Sequence, residues 1–250
     1  MGMKKMILSN NLECYYFGKE ETEYIFSEVF PEQQYFRHGI TINEGDCIFD
    51  VGENIELFSL FVNKLQKSVK TLAFEPIKQI FDVLQANATL HSIPNISLFN
   101  YGLSSESNPV KEFTFYPNMA GNSTTRPLEK LEQREVMNVA LKRDMVEYLF
   151  QSGEVKGEVR TLSSVINELD IKSIELLKID VEGEEYEVLQ GIAQNDWSKI
   201  KQIVAEVHDV KGRIDKIQTL LKSNGFSITV EKNNLVPDTL NTFNLYAVRG

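Results

Sequence analysis

The chain has 250 residues, 42% hydrophobic and 25% charged, which suits one sizeable α/β domain or at most two small ones. A formal net charge of -10 with no basic stripe sets it against a nucleic-acid partner. No apolar run approaches the ~18 residues of a membrane helix, and Met6-Ile7-Leu8 after Lys4 and Lys5 is too short for a secretory signal. Cys14 and Cys47 are the only cysteines and are expected as reduced thiols in a cytoplasmic protein.

Between Leu8 and Tyr35 the sequence predicts a short strand pair and a helix around 20–29, packed over a main sheet. Cys47 to Val51 is nearly all apolar, the pattern of a strand covered on both faces. Asn54, Phe58, Phe61, Val62 and Leu65 then recur at helical spacing. A second strand is predicted over 70–75 and a helix over 77–90, which Pro94 forbids from continuing. A third strand over 96–103 precedes an extra strand over 111–116. The polar segment 117–157 predicts helix around 128–150, no strand, and an excursion over the sheet edge. Alternation then resumes, with helices over 163–169, 184–192 and 214–224 and strands over 174–180, 200–207, 226–231 and 242–248. The last two strands lack an intervening helix and must form a hairpin, which predicts an antiparallel edge strand on an otherwise parallel, doubly wound sheet.

Ligands in such sheets bind outside the carboxyl ends of the strands. Five predicted tips carry polar or small residues after apolar runs: Asp50-Val51-Gly52, Glu75-Pro76, Asn100-Tyr101-Gly102, Asp180-Val181-Glu182-Gly183 and Glu206-Val207-His208-Asp209. Any one tip reads as a turn former; five on one edge read as a site. A strand, a Gly-containing turn, a helix and a second strand ending in Glu75 make a nucleotide-binding half, with the carboxylate placed for ribose hydroxyls. The turn Gly52-Glu53-Asn54-Ile55-Glu56 has one glycine and two acids, which disfavours the pyrophosphate of NAD or FAD. A cationic sulfonium tolerates those acids, so S-adenosylmethionine fits better.

Asp50-Val51-Gly52-x-Asn54-Ile55, Phe74-Glu75-Pro76, Asn100-Tyr101-Gly102-Leu103-Ser104 and Leu177-Lys178-Ile179-Asp180-Val181-Glu182-Gly183, followed by Trp197 and Glu206-Val207-His208, resemble the FkbM family of S-adenosylmethionine-dependent methyltransferases. The resemblance covers roughly 46–104 and 161–208. It implies a Rossmann-like, seven-stranded class I methyltransferase with an antiparallel last strand and N-terminal and lid additions. The implied organisation is one domain over 1–250: cap 1–45, cofactor half 46–116, lid 117–158 and second half 159–250. Glu-Thr-Glu-Tyr and the run Gln34 to Ile40 also resemble members that serve polyketide and nonribosomal peptide assembly lines. That implies O-methylation of a small-molecule or carrier-tethered hydroxyl, yielding S-adenosylhomocysteine. Where the family turn usually has Ala and Gly, this chain has Glu53 and Glu56; alternatives are a methyltransferase-fold scaffold or an NAD-dependent oxidoreductase.

By motif position the resemblance gives Asp50, Gly52 and Asn54 to the methionine portion and Glu75 to the ribose. Pro76, Asn100, Tyr101 and Gly102 fall to the adenine, and Asp180 to the meeting of sulfonium and acceptor. Methyl transfer to an alcohol needs alignment and proton removal, for which His is the usual base near neutral pH. His208, at the active edge beside Glu206 and Asp209, is one candidate, and His38, just before the first strand, is another. His91 reads as a structural cap. Asp180, Glu182 and His208 could hold Mg²⁺, but Glu182 reads as a helix-start acid and metal-free transfer is expected. Arg126, Lys130, Arg134, Lys142 and Arg143 in the excursion form either a carrier-protein landing face or a solvated helix.

Overall fold

The computed structural model describes residues 3–237 and 239–250. A hairpin of β1 (Lys4–Ile7) and β2 (Glu13–Tyr16) leads into α1 (Lys19–Val29). The nucleotide-binding half follows as β3 (Cys47–Val51), α2 (Leu57–Leu65), β4 (Lys70–Phe74), α3 (Lys78–His91) and β5 (Ile96–Phe99). Next come β6 (Gly102–Leu103), β7 (Asn108–Phe115), α4 (Lys130–Ala140), α5 (Arg143–Leu149) and β8 (Gly153–Arg160). The chain closes with α6 (Leu162–Glu168), β9 (Leu176–Ile179), α7 (Glu185–Gln190), β10 (Gln202–His208), α8 (Arg213–Ser223), β11 (Phe226–Lys232) and β12 (Thr242–Arg249).

The main sheet has seven strands in the order β11-β12-β10-β9-β3-β4-β5. Strand side chains alternate faces, and the core divides accordingly. Phe49, Leu177, Ile203, Ala205, Leu245 and Ala247 pack with Leu162, Val165, Ile166, Val188, Ile217 and Leu221 of α6, α7 and α8. Ile48, Leu176, Val204 and Tyr246, on the other face, pack with Val29 of α1 and Phe58, Phe61 and Val62 of α2. Coverage on both sides is why these strands read as continuous apolar runs. A smaller sheet, β6-β8-β7, packs Phe113, Phe115 and Val159 against Ile80 and Val83 of α3 and Cys14 of the N-terminal hairpin.

Several expectations are corrected. The antiparallel strand is not the edge: β12 lies between β10 and β11, antiparallel to both, so the edge strand β11 runs parallel to the rest. The α8 crossover sets β11 one strand-width beyond β10, and the hairpin return fills the gap. The third strand stops at Phe99, because the Asn100 side-chain amide donates to Glu75 O (2.9 Å) and the chain leaves for the smaller sheet. Segment 117–157 is not strand-free, since β8 begins at Gly153 and pairs antiparallel with β7, and the boundary expected at 158 falls inside it. A Cβ at Gly157 would lie 2.7 Å from Pro76 O, so only glycine lets β8 pass this close to the β4 tip. The helical stretch is two helices, parted where Leu141 and Lys142 are extended. Asn54 is not helical; α2 starts at Leu57. The hairpin starts at Lys4, before Leu8.

Candidate active site at the strand tips

From β3 the chain adds β4 and β5 on one side and β9 and β10 on the other, so strand order reverses between β3 and β9. Gly52 and Asp180 follow these two strands directly, and a Cβ on Gly52 would sit 1.8 Å from Asp180 O. Glycine at φ +83° is therefore obligatory at this turn. Lys178, inside β9 and almost fully buried, ties the two tips together. Its ammonium lies 2.9 Å from Asp50 Oδ1 and 3.8 Å from Asp180 Oδ2, and donates to Gly52 O at 2.9 Å. Burial alone would lower its pKa; Asp50, Asp180 and Glu53 outweigh that and hold it above the ordinary value. Tyr35, from the turn Gln34–Phe36, donates to Asp180 Oδ2 at 3.1 Å. A lysine in the apolar run Leu176-Leu177-Lys178-Ile179 is a buried-charge signal that sequence reasoning left without a role, as it did Tyr35.

The turn after Gly52 is acidic and buried. Glu53 accepts from Ser59 N (3.2 Å) and Ser59 Oγ (2.5 Å). Asn54 and Glu56 are left-handed, at φ 60° and 87°, and Glu56 is fully buried at the N-cap of α2. Neither Glu56 carboxyl oxygen has a hydrogen-bond partner, and Asp50 Oδ2 is likewise unsatisfied. Burial, and then the nearby Asp50 charge, push the Glu53 and Glu56 carboxyls well above the usual range. A helix start favours a carboxylate, but at Glu56 desolvation outweighs the dipole.

Glu75 ends β4, accepts from Ile77 N at 2.9 Å, and is pushed by burial to about 8 against the pull of that N–H. Asn100 also donates to Pro76 O at 3.3 Å, and Gly102 lies against the Pro76 ring. Tyr101 is buried against Phe74 and Phe99, under the Arg160 guanidinium 4.2 Å from its ring centre, so it belongs to the core rather than to an open rim. The structure thus gathers Asp50, Gly52, Asn54, Glu75, Pro76, Asn100, Gly102 and Asp180 along one edge.

His208 ends β10 at the same edge. Its Nε2 lies 3.3 Å from Glu182 Oε2 and 3.7 Å from Glu206 Oε1, and its Nδ1 lies 3.4 Å from Glu185 Oε1. Burial alone would lower its pKa; Glu182 and Glu185 raise it to about 9. Lys130 pairs with Glu182 from the far side and, with His208, keeps that carboxylate ionised despite burial. Glu28 of α1 and Glu206 are neighbouring buried acids. Burial and Asp180 push Glu28 to about 7 and Glu206 well above its usual range, and Asn233 donates to Glu206 at 2.7 Å. His38 is not brought here: it pairs with Glu231 Oε2 at 2.9 Å beside the Tyr246 ring. His91 ends α3 with its Nε2 2.7 Å from Glu13 O. Among the described residues no group of three or more His, Cys, Asp or Glu is placed to hold a metal ion, and no helix is long and apolar enough to cross a membrane.

Residues 120–130 cross the strand tips as a strap. Glu21 of α1 accepts from Ala120 N and Gly121 N (3.0 and 2.7 Å). Thr124 Oγ1 donates to Glu182 O, and Thr125 Oγ1 to Glu184 Oε1. Arg126 pairs with Glu184 (3.2 Å) and Glu187 (2.5 Å), and Arg213 with Glu129 (2.7 Å). Ser123, Thr124 and Thr125 roof a cavity of about 40 Å³ over Gly52, Gly102 and Val181. That falls well short of the ~300–1,000 Å³ usual for small-molecule sites. The strap closes this space over the strand tips.

The FkbM methyltransferase domain profile matches residues 50–228. The chain is 34% identical over 241 residues to 31-O-demethyl-FK506 methyltransferase FkbM of Streptomyces tacrolimicus, covering 93% of this chain and 92% of that protein. It is 33% identical over 258 residues to the AMB antimetabolite synthetase AmbE of Pseudomonas aeruginosa, covering 92% of this chain but only 12% of that protein. The crystal structure of an FkbM methyltransferase from Methylobacillus flagellatus superposes with a TM-score of 0.56 at 15% identity, over 91% of this chain and 50% of that one. An S-adenosylmethionine-dependent O-methyltransferase from Thermotoga maritima gives 0.50 at 12% identity, over 98% and 77%. The architecture is that of class I Rossmann-like methyltransferases. With its profile matched across most of its length and a relative of one-third identity end to end, the chain belongs to the FkbM family of methyltransferases.

Proposed function

We propose that this methyltransferase uses S-adenosylmethionine to methylate a hydroxyl on a small or carrier-tethered acceptor from a natural-product pathway. The observation that carries the reading is the convergence of Asp50, Glu75, Asp180 and His208 on the reversal point of the sheet. Printed names of relatives point the same way: one is a 31-O-demethyl-FK506 methyltransferase, and another is an antimetabolite synthetase that contains a segment like this chain.

The residues suit the cofactor chemically. Glu75 offers carboxyl oxygens to a ribose diol, and the unsatisfied Asp50 Oδ2 offers an acceptor to a cationic group. S-adenosylmethionine, when bound, supplies a methyl already activated by its sulfonium. The protein has to align the acceptor oxygen and take its proton. Asp180, fixed by Tyr35 and Lys178, orients the acceptor. His208 receives the proton once its ring is neutral, a state that Glu182 and Glu185 oppose below about pH 9. Calorimetry with S-adenosylhomocysteine tests the cofactor, and intact-mass analysis of a β-hydroxyacyl carrier protein tests the transfer. No heat and no thermal shift at millimolar ligand would refute the reading.

A second reading, a methyltransferase fold that has lost its cofactor, is favoured by the buried Glu56 and the narrow cavity. Under it, Glu56→Gly creates S-adenosylhomocysteine binding that the parent lacks; equal binding by both proteins rejects it.

A further inference from the structure

A second cavity, of about 380 Å³, opens beside the strap between α4, α5 and the β7–β8 end of the small sheet. Its wall carries Tyr116, Pro127, Leu128, Leu131, Arg134 and Phe150. Its volume is that of a small-molecule site, and its apolar side chains face the polar Thr114, Lys130, Arg134, Ser152 and Glu154 across the same space. Leu128 is 79% exposed and Leu131 53% exposed, apolar side chains held in water at the rim. The cavity abuts the candidate active site. Lys130 lines it, and the same ammonium pairs with Glu182, which faces His208.

Charge identifies the occupant further. Of the three basic residues between 126 and 134, Arg126 and Lys130 are committed to Glu184, Glu187 and Glu182. Arg134 has no carboxylate partner among the described residues and stands 5.8 Å from the Phe150 ring centre. Glu154, the one carboxylate in the wall, is exposed and makes no ion pair with Arg134. A half-apolar wall with one guanidinium that has no carboxylate partner suits an amphipathic ligand that carries an anion.

We infer that this cavity holds the body of the acceptor, an apolar chain or ring on Tyr116, Phe150, Leu128 and Leu131, with an anionic group at Arg134. Calling the ligand an acceptor rests on the methyl-transfer reading; the binding does not. The anion is either the carboxylate of a free acid or the phosphate of a phosphopantetheine arm, and the test separates them. Decanoate, S-decanoyl-phosphopantetheine and decanol are titrated calorimetrically into the protein, Arg134→Gln and Ser152→Trp. At least one anionic probe binds about tenfold or more tighter than decanol, and the tighter of the two names the source. Arg134→Gln removes that advantage and leaves decanol unchanged. Ser152→Trp, which fills the cavity from an exposed loop, blocks all three, while S-adenosylhomocysteine binding is the same in all three proteins. Neither anionic probe binding tighter than decanol, indifference to Arg134→Gln, or no binding of any probe overturns the proposal. Binding of an anionic probe without S-adenosylhomocysteine binding leaves the site standing and removes the methyl-transfer reading.

Discussion

At Gly52 two strand tips approach so closely that one added methyl has no place. Gly52→Ala adds a left-handed backbone penalty to a collision with Asp180 O at 1.8 Å. It is expected to cost ~2–3 kcal/mol of stability, read as a lowered denaturation midpoint at unchanged m-value. Glu56 is the reverse case, a left-handed residue with an unsatisfied buried carboxyl. Glu56→Gly relieves both and should stabilise the fold by about 1 kcal/mol or more, measured in the same urea titration. For His208 the prediction is kinetic. His208→Gln should lower kcat by ~10²–10⁴-fold. In the parent, kcat/KM should climb with pH towards about 9, because the imidazolium held by Glu182 and Glu185 cannot accept a proton. A profile that falls over that range would show that His208 acts as a cation instead.

The strap is the element that roofs the strand tips, and ion pairs hold it at one end. Arg126→Ala removes the bonds to Glu184 and Glu187 and should speed hydrogen exchange at 120–130 while leaving exchange in β3 and β9 unchanged. Association with S-adenosylhomocysteine should quicken in the same variant; unchanged exchange would mean that the threonine, Glu21, Lys130 and Arg213–Glu129 contacts keep the strap down without it. This element was barely legible in the sequence. Apolar runs mark the central strands β3, β4, β9 and β10 because both faces are buried, and the motifs mark their tips. The strap instead is made by polar contacts between residues more than fifty positions apart, such as Thr124 with Glu182, which no local pattern encodes. β8 escaped for a related reason: Val155 and Val159 alternate as a strand should, but Glu154, Lys156 and Glu158 between them carry a helix-like density of charge. His208 was legible by position, yet its proton affinity depends on Glu182, Glu185 and Lys130, which only the fold assembles. Glu28 and Tyr35 join the site from a region whose pattern said only helix and loop.

Taken as a whole, the molecule holds more protons than its unfolded chain near neutral pH. Burial lifts Glu21 and Glu28 to about 7 and Glu75 to about 8, and carboxylates lift His208 to about 9. Raised carboxyls give stability below ~4.5 that is lost as pH rises through 7 to 8, and His208 gives stability below ~6.5 that is lost through about 9. All four slopes have the same sign, so the ligand-free melting temperature should fall steadily from about pH 6 to 9. A melting temperature that stays flat or rises across that range would contradict the buried-acid arrangement. The placement of β12 bears on biosynthesis. Because β12 follows both β10 and β11 in the chain yet is slotted between them, those two strands stay parted until β12 has been made. Until then β10 presents an unpaired margin, apolar at Ile203, Val204, Ala205 and Val207, to other unfolded chains.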